Sequence, residues 1–350
     1  MRQRGKKRID QTHEVAILKT SGQWIILGVT ILLLVFLPFL LRWSGNVNQL
    51  MFINITMITI IAVLGLNIIT GMAGQLSLGH AAFVMTGAFI TGALTAKAGW
   101  PFWAALPAAA LITAVIGVIV GAPSLRLKGF YLAVATLAFF LLAQFIIRNM
   151  DLFGGIFGLS GIPAPIIGGV RINDDTEWYY LILAFVLILT FFSVNLTRSR
   201  LGRAMFAVRD NDTAAASMGI QPYSTKLQAF FIGSLYAGAA GGLLSSYITV
   251  VRLDQFSMWD SIWYLGMMMI GGAGSTAGTI MGVIALSLIK QILHMMSMAD
   301  WVPYFSNNWT YITSGIYGLV IIIFVSFQPY GLIALWKKMR ANYKRWPFGY

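Results

Sequence analysis

Apolar stretches free of Asp, Glu, Lys and Arg recur along the chain at 20–41, 43–96, 98–125, 129–147, 178–197, 227–251, 261–289 and 301–336. Each can hold a crossing of about 20 residues through a hydrocarbon layer about 30 Å thick. Backbone amides in hydrocarbon must bond within their own segment. These runs are too long and too uniformly apolar for the alternating strands of a barrel, so the pattern predicts an all-α, polytopic transmembrane helical bundle. Crossings placed near 24–41, 50–69, 79–97, 102–122, 129–149, 178–197, 227–250, 261–272, 279–297 and 309–328 give about ten segments and put both termini on one side. The segment at 261–272 is the shortest. Twelve residues rise about 18 Å, too little for a full crossing, so a glycine-broken or re-entrant helix is expected there.

Composition strengthens this reading. Of 350 residues 58% are apolar and 10% charged, against roughly a quarter charged in a soluble domain. The net charge of +13 would suggest nucleic acid in a soluble protein, but here the basic residues sit between apolar blocks. They are also unevenly shared: 18 of the 24 Lys and Arg fall in 1–23, 126–128, 198–226 and 337–345, which the segment order places on one face. Arg42, Lys97, Arg148, Arg171, Arg252 and Lys290 fall on the other, among most of the acidic residues. The positive-inside rule then puts both termini in the cytoplasm, and the basic tails also suit anionic headgroups. Three regions follow: a basic tail 1–23, a membrane domain 24–336 with a cytoplasmic loop at 198–226, and a basic tail 337–350. The first apolar block is read as a retained helix, since further membrane segments follow it and no small-residue cleavage site is clear. With no cysteine, neither disulfides nor thiolate metal sites are available.

Two glycine-rich breaks interrupt the apolar pattern. Gly71-Met72-Ala73-Gly74-Gln75-Leu76-Ser77-Leu78-Gly79-His80 brings polar side chains into an uncharged run, and Gly271-Gly272-Ala273-Gly274-Ser275-Thr276-Ala277-Gly278 does so again later. Paired breaks in two halves of a membrane protein point to a pathway lined by backbone groups and helix ends. The shared Gly, Ala and Gly at 71, 73, 74 and 271, 273, 274 are compatible with an internal repeat or with coincidence in glycine-rich sequence. Gly87, Gly92 and the glycines of 233–242 read as small-residue helix packing. Gln75, Ser77 and His80 read either as pathway residues or as buried groups with a partner, while Lys290 and His294 snorkel towards an interface. No Asp or Glu lies inside a predicted span, so carriers of proton or sodium coupling have no candidate. The phosphate-cradling Gly-Xaa4-Gly-Lys-Ser/Thr loop is absent as well, so ATP hydrolysis would have to come from another subunit.

The loop from Arg198 to Ile220 reads as two short helices. Leu201, Ala204, Met205 and Val208 form an i, i+3, i+4, i+7 stripe, with Arg200, Arg203 and Arg209 left wet, Asp212 suited to an N-cap and Gly219 to a C-terminal stop. Such a helix could rest in the headgroup layer or offer a ridge to a cytoplasmic partner.

Taken together, Gly-Met-Ala-Gly-Gln-Leu-Ser-Leu-Gly-His at 71–80, the Arg-Ser-Arg-Leu-Gly-Arg-Ala to Met-Gly-Ile loop at 198–220 and Gly-Gly-Ala-Gly-Ser at 271–275 resemble the M-type membrane-permease subunits of branched-chain amino-acid ABC importers. The resemblance spans roughly 50 to 330. It implies a permease of the bacterial or archaeal plasma membrane that forms half of a pore with a homologous H-type permease, docks two cytoplasmic ATPase subunits and receives solute from an extracytoplasmic binding protein. ATP and Mg would then reside on the partner subunits, with no cofactor on this chain and no nucleic acid among its partners. Carried over by position, Arg198, Arg200, Leu201, Gly202, Arg203, Met205, Val208, Arg209, Asp212 and Gly219 would couple to the ATPase, and Gly71, Gly74, Gln75, Ser77, His80, Gly271, Gly272, Gly274 and Ser275 would line or hinge the path. Related permeases carry urea, short amides or aromatic acids, so the resemblance leaves the solute open. A stand-alone transporter or channel is disfavoured by the lack of membrane carboxylates. An embedded enzyme is disfavoured because His13, His80 and His294 are scattered.

Overall fold

A computed structural model of the chain describes residues 28, 32–39, 41–42, 48–124, 129–167, 169–297, 309–327 and 331–345. The 1–23 tail and the basic 126–128 segment lie outside them, as does part of the first expected crossing. The chain divides into an N-terminal unit, Met1–Met51, and a larger unit, Phe52–Tyr350. Within the former, residues 32–39 are helical.

Helix α1 (Asn48–Leu66) runs on into a π-helical turn, Asn67–Met72. After the break come α2 (His80–Gly92), with its own π turn Ala93–Lys97, then α3 (Phe102–Ser124) and α4 (Phe130–Asn149). Helix α5 (Asp175–Arg198) leads into the short pair α6 (Arg200–Asp210) and α7 (Asp212–Ser217), which is followed by the long α8 (Pro222–Ile248). The remainder is α9 (Met258–Gly271), α10 (Thr276–Ser297), α11 (Trp309–Phe327) and α12 (Gly331–Arg345). Among the described residues, six helices are long and apolar enough to cross a membrane, at Gln49–Met72, Phe102–Pro123, Phe130–Asn149, Asp175–Arg198, Pro222–Ile248 and Thr276–Leu293. The short segment foreseen at 261–272 is the 14-residue α9, which rises only about 21 Å. Residues 337–345 of the basic C-terminal tail form the second half of α12.

Helix α8 sits at the centre, against α2 and α3, and glycine lets it do so. A Cβ on Gly241 would lie 1.9 Å from the Val84 carbonyl oxygen, one on Gly87 2.4 Å from that of Gly238, and one on Gly233 2.4 Å from Ile69 Cγ1. Lipid tails are as apolar as leucine, so helices in a bilayer gain by close backbone approach rather than by escaping water, and small residues at the seams permit it. Exposed positions are large and apolar instead, such as Ile119 on α3, Phe145 on α4 and Phe192 on α5.

Contacts sort the helix ends into two layers. At one end the Lys97 ammonium donates to the Asp151 carbonyl, Tyr247 Oη donates to Asp175 Oδ1 at 2.7 Å, and Asn54 Nδ2 donates to the Asp175 carbonyl at 3.0 Å. Strand β1 (Leu159–Ser160) pairs there antiparallel with β4 (Val250–Val251), while β2 (Ile166–Ile167) and β3 (Val170–Arg171) form a small hairpin. At the opposite end lie both glycine breaks and the α6–α7 pair. Arg198, Arg200, Arg203, Arg209 and Lys226 thus share one end, and Lys97, Arg171 and Arg252 the other, as the charge pattern predicts.

Adding one methyl group at a glycine seam tests this packing. Gly241→Ala should lower stability in detergent by about 1–3 kcal/mol through overpacking, whereas Gly318→Ala, whose Cβ meets nothing within 4 Å, should leave the thermal midpoint unchanged or slightly raised. Equal midpoints for the two variants would contradict the close approach.

Candidate functional site: a junction of two helix breaks and a surface helix

A break in a membrane helix frees amides and carbonyls, and those buried from water must find a protein partner. In the first break the Ala73 N–H donates to the Ile68 carbonyl at 3.2 Å and that of Gln75 to the Ile69 carbonyl at 3.0 Å. The Gln75 carbonyl accepts from Thr70 Oγ1 at 2.9 Å, and the Gln75 amide nitrogen donates to the Ala73 carbonyl at 2.9 Å. Further along, the Leu78 N–H donates to Thr136 Oγ1 on α4 at 3.0 Å and that of Ala81 to Ser261 Oγ on α9 at 2.9 Å. Gly79 must be glycine here, because a Cβ would stand 1.9 Å from the Thr136 carbonyl oxygen.

The second break, between α9 and α10, is a tight turn with Gly272 at φ 116° and Gly274 at φ 84°. Ser275 starts α10: its hydroxyl accepts from the Gly278 N–H at 3.2 Å, and its carbonyl accepts from the Thr279 N–H at 2.9 Å. Gly331, at the start of α12, packs so closely on this turn that a Cβ would stand 2.5 Å from the Gly272 nitrogen.

The two breaks meet. The Gly274 N–H donates to Asn67 Oδ1 at 2.8 Å, across 207 positions of sequence, and a Cβ on Gly71 would lie 2.1 Å from that oxygen and 2.5 Å from the Gly274 nitrogen. The guanidinium of Arg209, on α6, donates to the Gly71 carbonyl. Its stem covers Gly74, where a Cβ would meet Arg209 Cγ at 2.9 Å, and the side chains of Arg209 and Phe206 fill the space beside Gly274. Gly71, Gly74, Gly272, Gly274 and Ser275 are therefore brought together with the loop. Ser77 and His80 are buried deeper. His80 Nε2 bonds the Ala62 carbonyl at 2.8 Å, and its ring stands edge-on to Phe83 and Tyr264, so it ties α1, α2 and α9 together.

The loop is an ordered pair of helices with one departure from expectation. Asp212 does not cap α7; Asn211 does, accepting from the N–H groups of Thr213 and Ala214 at 3.0 and 3.1 Å. Asp212 instead pairs with the largely buried Lys226 at 2.6 Å, the better use of a carboxylate beside an otherwise uncompensated buried cation. Arg209 is exposed, as expected, and its guanidinium also reaches the Gly71 carbonyl of the first break. Ser199 caps α6, accepting from the Gly202 N–H at 3.0 Å, and a Cβ on Gly202 would clash with the Leu196 carbonyl at 2.0 Å. Met205 and Val208 are buried, with Leu201 and Ala204 half-buried, so the foreseen stripe faces the bundle. Arg203 bonds the Arg198 carbonyl at 2.8 Å. Arg200, Ser217, Met218 and Gly219 are exposed, Met218 at 82%. Gly219 stops α7 with φ 82°.

Beside the junction a polar cavity of about 370 Å³ is lined by Gly74, Gln75, Arg209, Asp210, Asp212 and Lys226, among others. A groove of about 440 Å³ among α2, α3 and α4 is apolar apart from Thr86 and carries no group that pairs with an ammonium or a carboxylate. Lys290 is exposed on α10, as a snorkelling residue would be; the side chain of His294 lies outside what is described. Asn67, Thr136, Phe206, Ser261 and Gly331 were not singled out from sequence. An asparagine four residues before Gly71 in an otherwise apolar helix was the available signal.

A helical bundle with glycine-broken helices turned against an ordered surface helix pair suits a transport permease, and the comparisons place the chain in that class. The family model for the branched-chain amino acid transport system permease component matches residues 48–325, and the chain belongs to that family. The high-affinity branched-chain amino acid transport system permease protein LivM of Salmonella typhimurium is 30% identical over 340 residues, covering 90% of this chain and 76% of its own, and that of Escherichia coli K12 is 31% identical with the same coverage. The xylose transport system permease protein XylH of Escherichia coli K12 is 31% identical over 170 residues, covering 46% of this chain and 41% of its own. No solved structure gives a significant match.

Removing the Asn67 carboxamide should leave the part-buried Gly274 amide without its protein acceptor. Asn67→Ala is expected to cost about 1–3 kcal/mol of unfolding free energy. An unchanged denaturation midpoint would show that the two breaks are not joined through this bond.

Proposed function

We propose that the chain is one half of the translocation pathway of a binding-protein-dependent importer of branched-chain amino acids, driven by ATP hydrolysis on separate subunits. The family assignment across most of the chain carries this reading. The similarity to branched-chain permeases extends over 90% of the chain and that to the xylose permease over 46%, which favours an amino-acid cargo over a sugar. A homologous H-type permease supplies the other half, two cytoplasmic ATPases supply the work, and an extracytoplasmic binding protein supplies solute and selectivity. The end bearing the breaks and α6–α7 faces the cytoplasm, because the basic residues gather there. The exposed surface of α6–α7, with Arg200, Ser217 and Met218, is the side the ATPase grips, and the glycine breaks behind it yield as the pathway alternates between its two openings.

Asp260, in the first turn of α9, accepts from the Ser257 N–H at 2.6 Å and from its hydroxyl at 3.0 Å, a helix-capping duty. In proteoliposomes, leucine accumulation should require the second permease, the ATPases, the binding protein and internal ATP together. Arg200→Glu combined with Met218→Glu should strip the ATPase on purification and abolish uptake. Uphill accumulation by this chain alone, or full ATPase retention in the double variant, would contradict the reading.

A further inference from the structure

Arg209, at the C-terminal end of α6, is exposed along part of its side chain, and its guanidinium reaches back into the junction. Its guanidinium donates to the Gly71 carbonyl, its stem covers Gly74, and its Nη1 occupies the place 2.8 Å from where a Cβ on Gly274 would stand. One side chain from the surface loop therefore touches both helix breaks. The breaks are also joined directly through Asn67 Oδ1 and the Gly274 N–H. Phe206, one turn earlier on α6, lies 3.2 Å from the same Cβ position on Gly274. The chemistry suits a latch. The Gly71 carbonyl ends a π turn inside an otherwise apolar bundle, and a charge-assisted bond from a permanently protonated, planar donor is the strongest neutral-backbone contact available to it.

We infer that Arg209 is a positioning residue that transmits movement of α6–α7 to both glycine breaks at once, rather than a contact for the ATPase itself. This rests on the permease reading above and gives the loop's side chains separate duties: Arg200 and Met218 for the partner, Arg209 and Phe206 for the breaks. The glycines at 71, 74 and 274 then have a shared purpose. Their missing side chains make room for each other and for the guanidinium, so the latch can sit between two turns that would otherwise be held apart.

The test uses the complete importer, with both permeases, the ATPases and the binding protein, in proteoliposomes. Arg209→Ala should co-purify the ATPase at the wild-type ratio and still hydrolyse ATP, while leucine taken up per ATP falls on the order of tenfold, the change expected when one charge-assisted hydrogen bond is lost. Arg209→Lys, whose ammonium still reaches the Gly71 carbonyl, should recover part of that ratio, a rescue that a purely structural role would not give. Arg209→Gln replaces the alanine variant if the latter fails to assemble. Unchanged uptake per ATP in Arg209→Ala would overturn the latch. Loss of the ATPase from Arg209→Ala would overturn it too, placing Arg209 in the docking surface and leaving the permease reading intact. ATPase retention and full transport in Arg200→Glu with Met218→Glu would instead remove the reading on which the latch rests.

Discussion

Satisfying backbone groups without water is the constraint on which this structure depends. Inside a bilayer an unpaired amide or carbonyl costs several kcal/mol, so a helix can be broken only where other parts of the chain supply donors and acceptors at the break. Here they come from five places far apart in sequence: Thr136 on α4, Ser261 on α9, Asn67 before the first break, Ser275 after the second and Arg209 on the surface helix. Each break is thus stable only in the company of the other elements. That interdependence joins local geometry to transport, since an element cannot leave this cluster without leaving polar groups bare.

Much of the fold is legible in the sequence because hydropathy and charge act over short distances. Uncharged runs marked the helices, and Arg198, Arg200, Arg203 and Lys226 fall at the bundle end opposite Lys97 and Arg252. Glycine clusters marked both breaks, and the glycine seam of α8 lies where small-residue packing was expected. The 261–272 segment is short because the chain enters the bundle before turning helical, with Phe256 already buried against Phe89.

What the sequence hid is long-range. No pattern within a window tells that Gly71 and Gly274 touch, or that Arg209 reaches back 138 positions to a carbonyl. Arg209 is as exposed as its place on an amphipathic helix suggests, but its bond to the Gly71 carbonyl depends on where that helix docks. Likewise Asp212 and Asn211 are both good N-caps, and the choice was made by Lys226, a cation that the tertiary fold buries. His80 reads from sequence either as a pathway residue or as a buried group with a partner, and its ring lies among Phe83 and Tyr264 with Nε2 on the Ala62 carbonyl.

The central claim is that the surface helix pair and the two breaks move as one body against the far end of the bundle. A chain without cysteine permits site-specific spin labels on a clean background. Labels at Ala216 and Ala273, both exposed, report the loop-to-break distance, and labels at Ala273 and Asn149 report the distance from the break to the other end. Pulsed electron–electron resonance on the assembled importer, with and without trapped ATP, should show the first distance constant and the second changing. A loop-to-break distance that shifts with nucleotide while the break stays fixed against the far end would contradict the account.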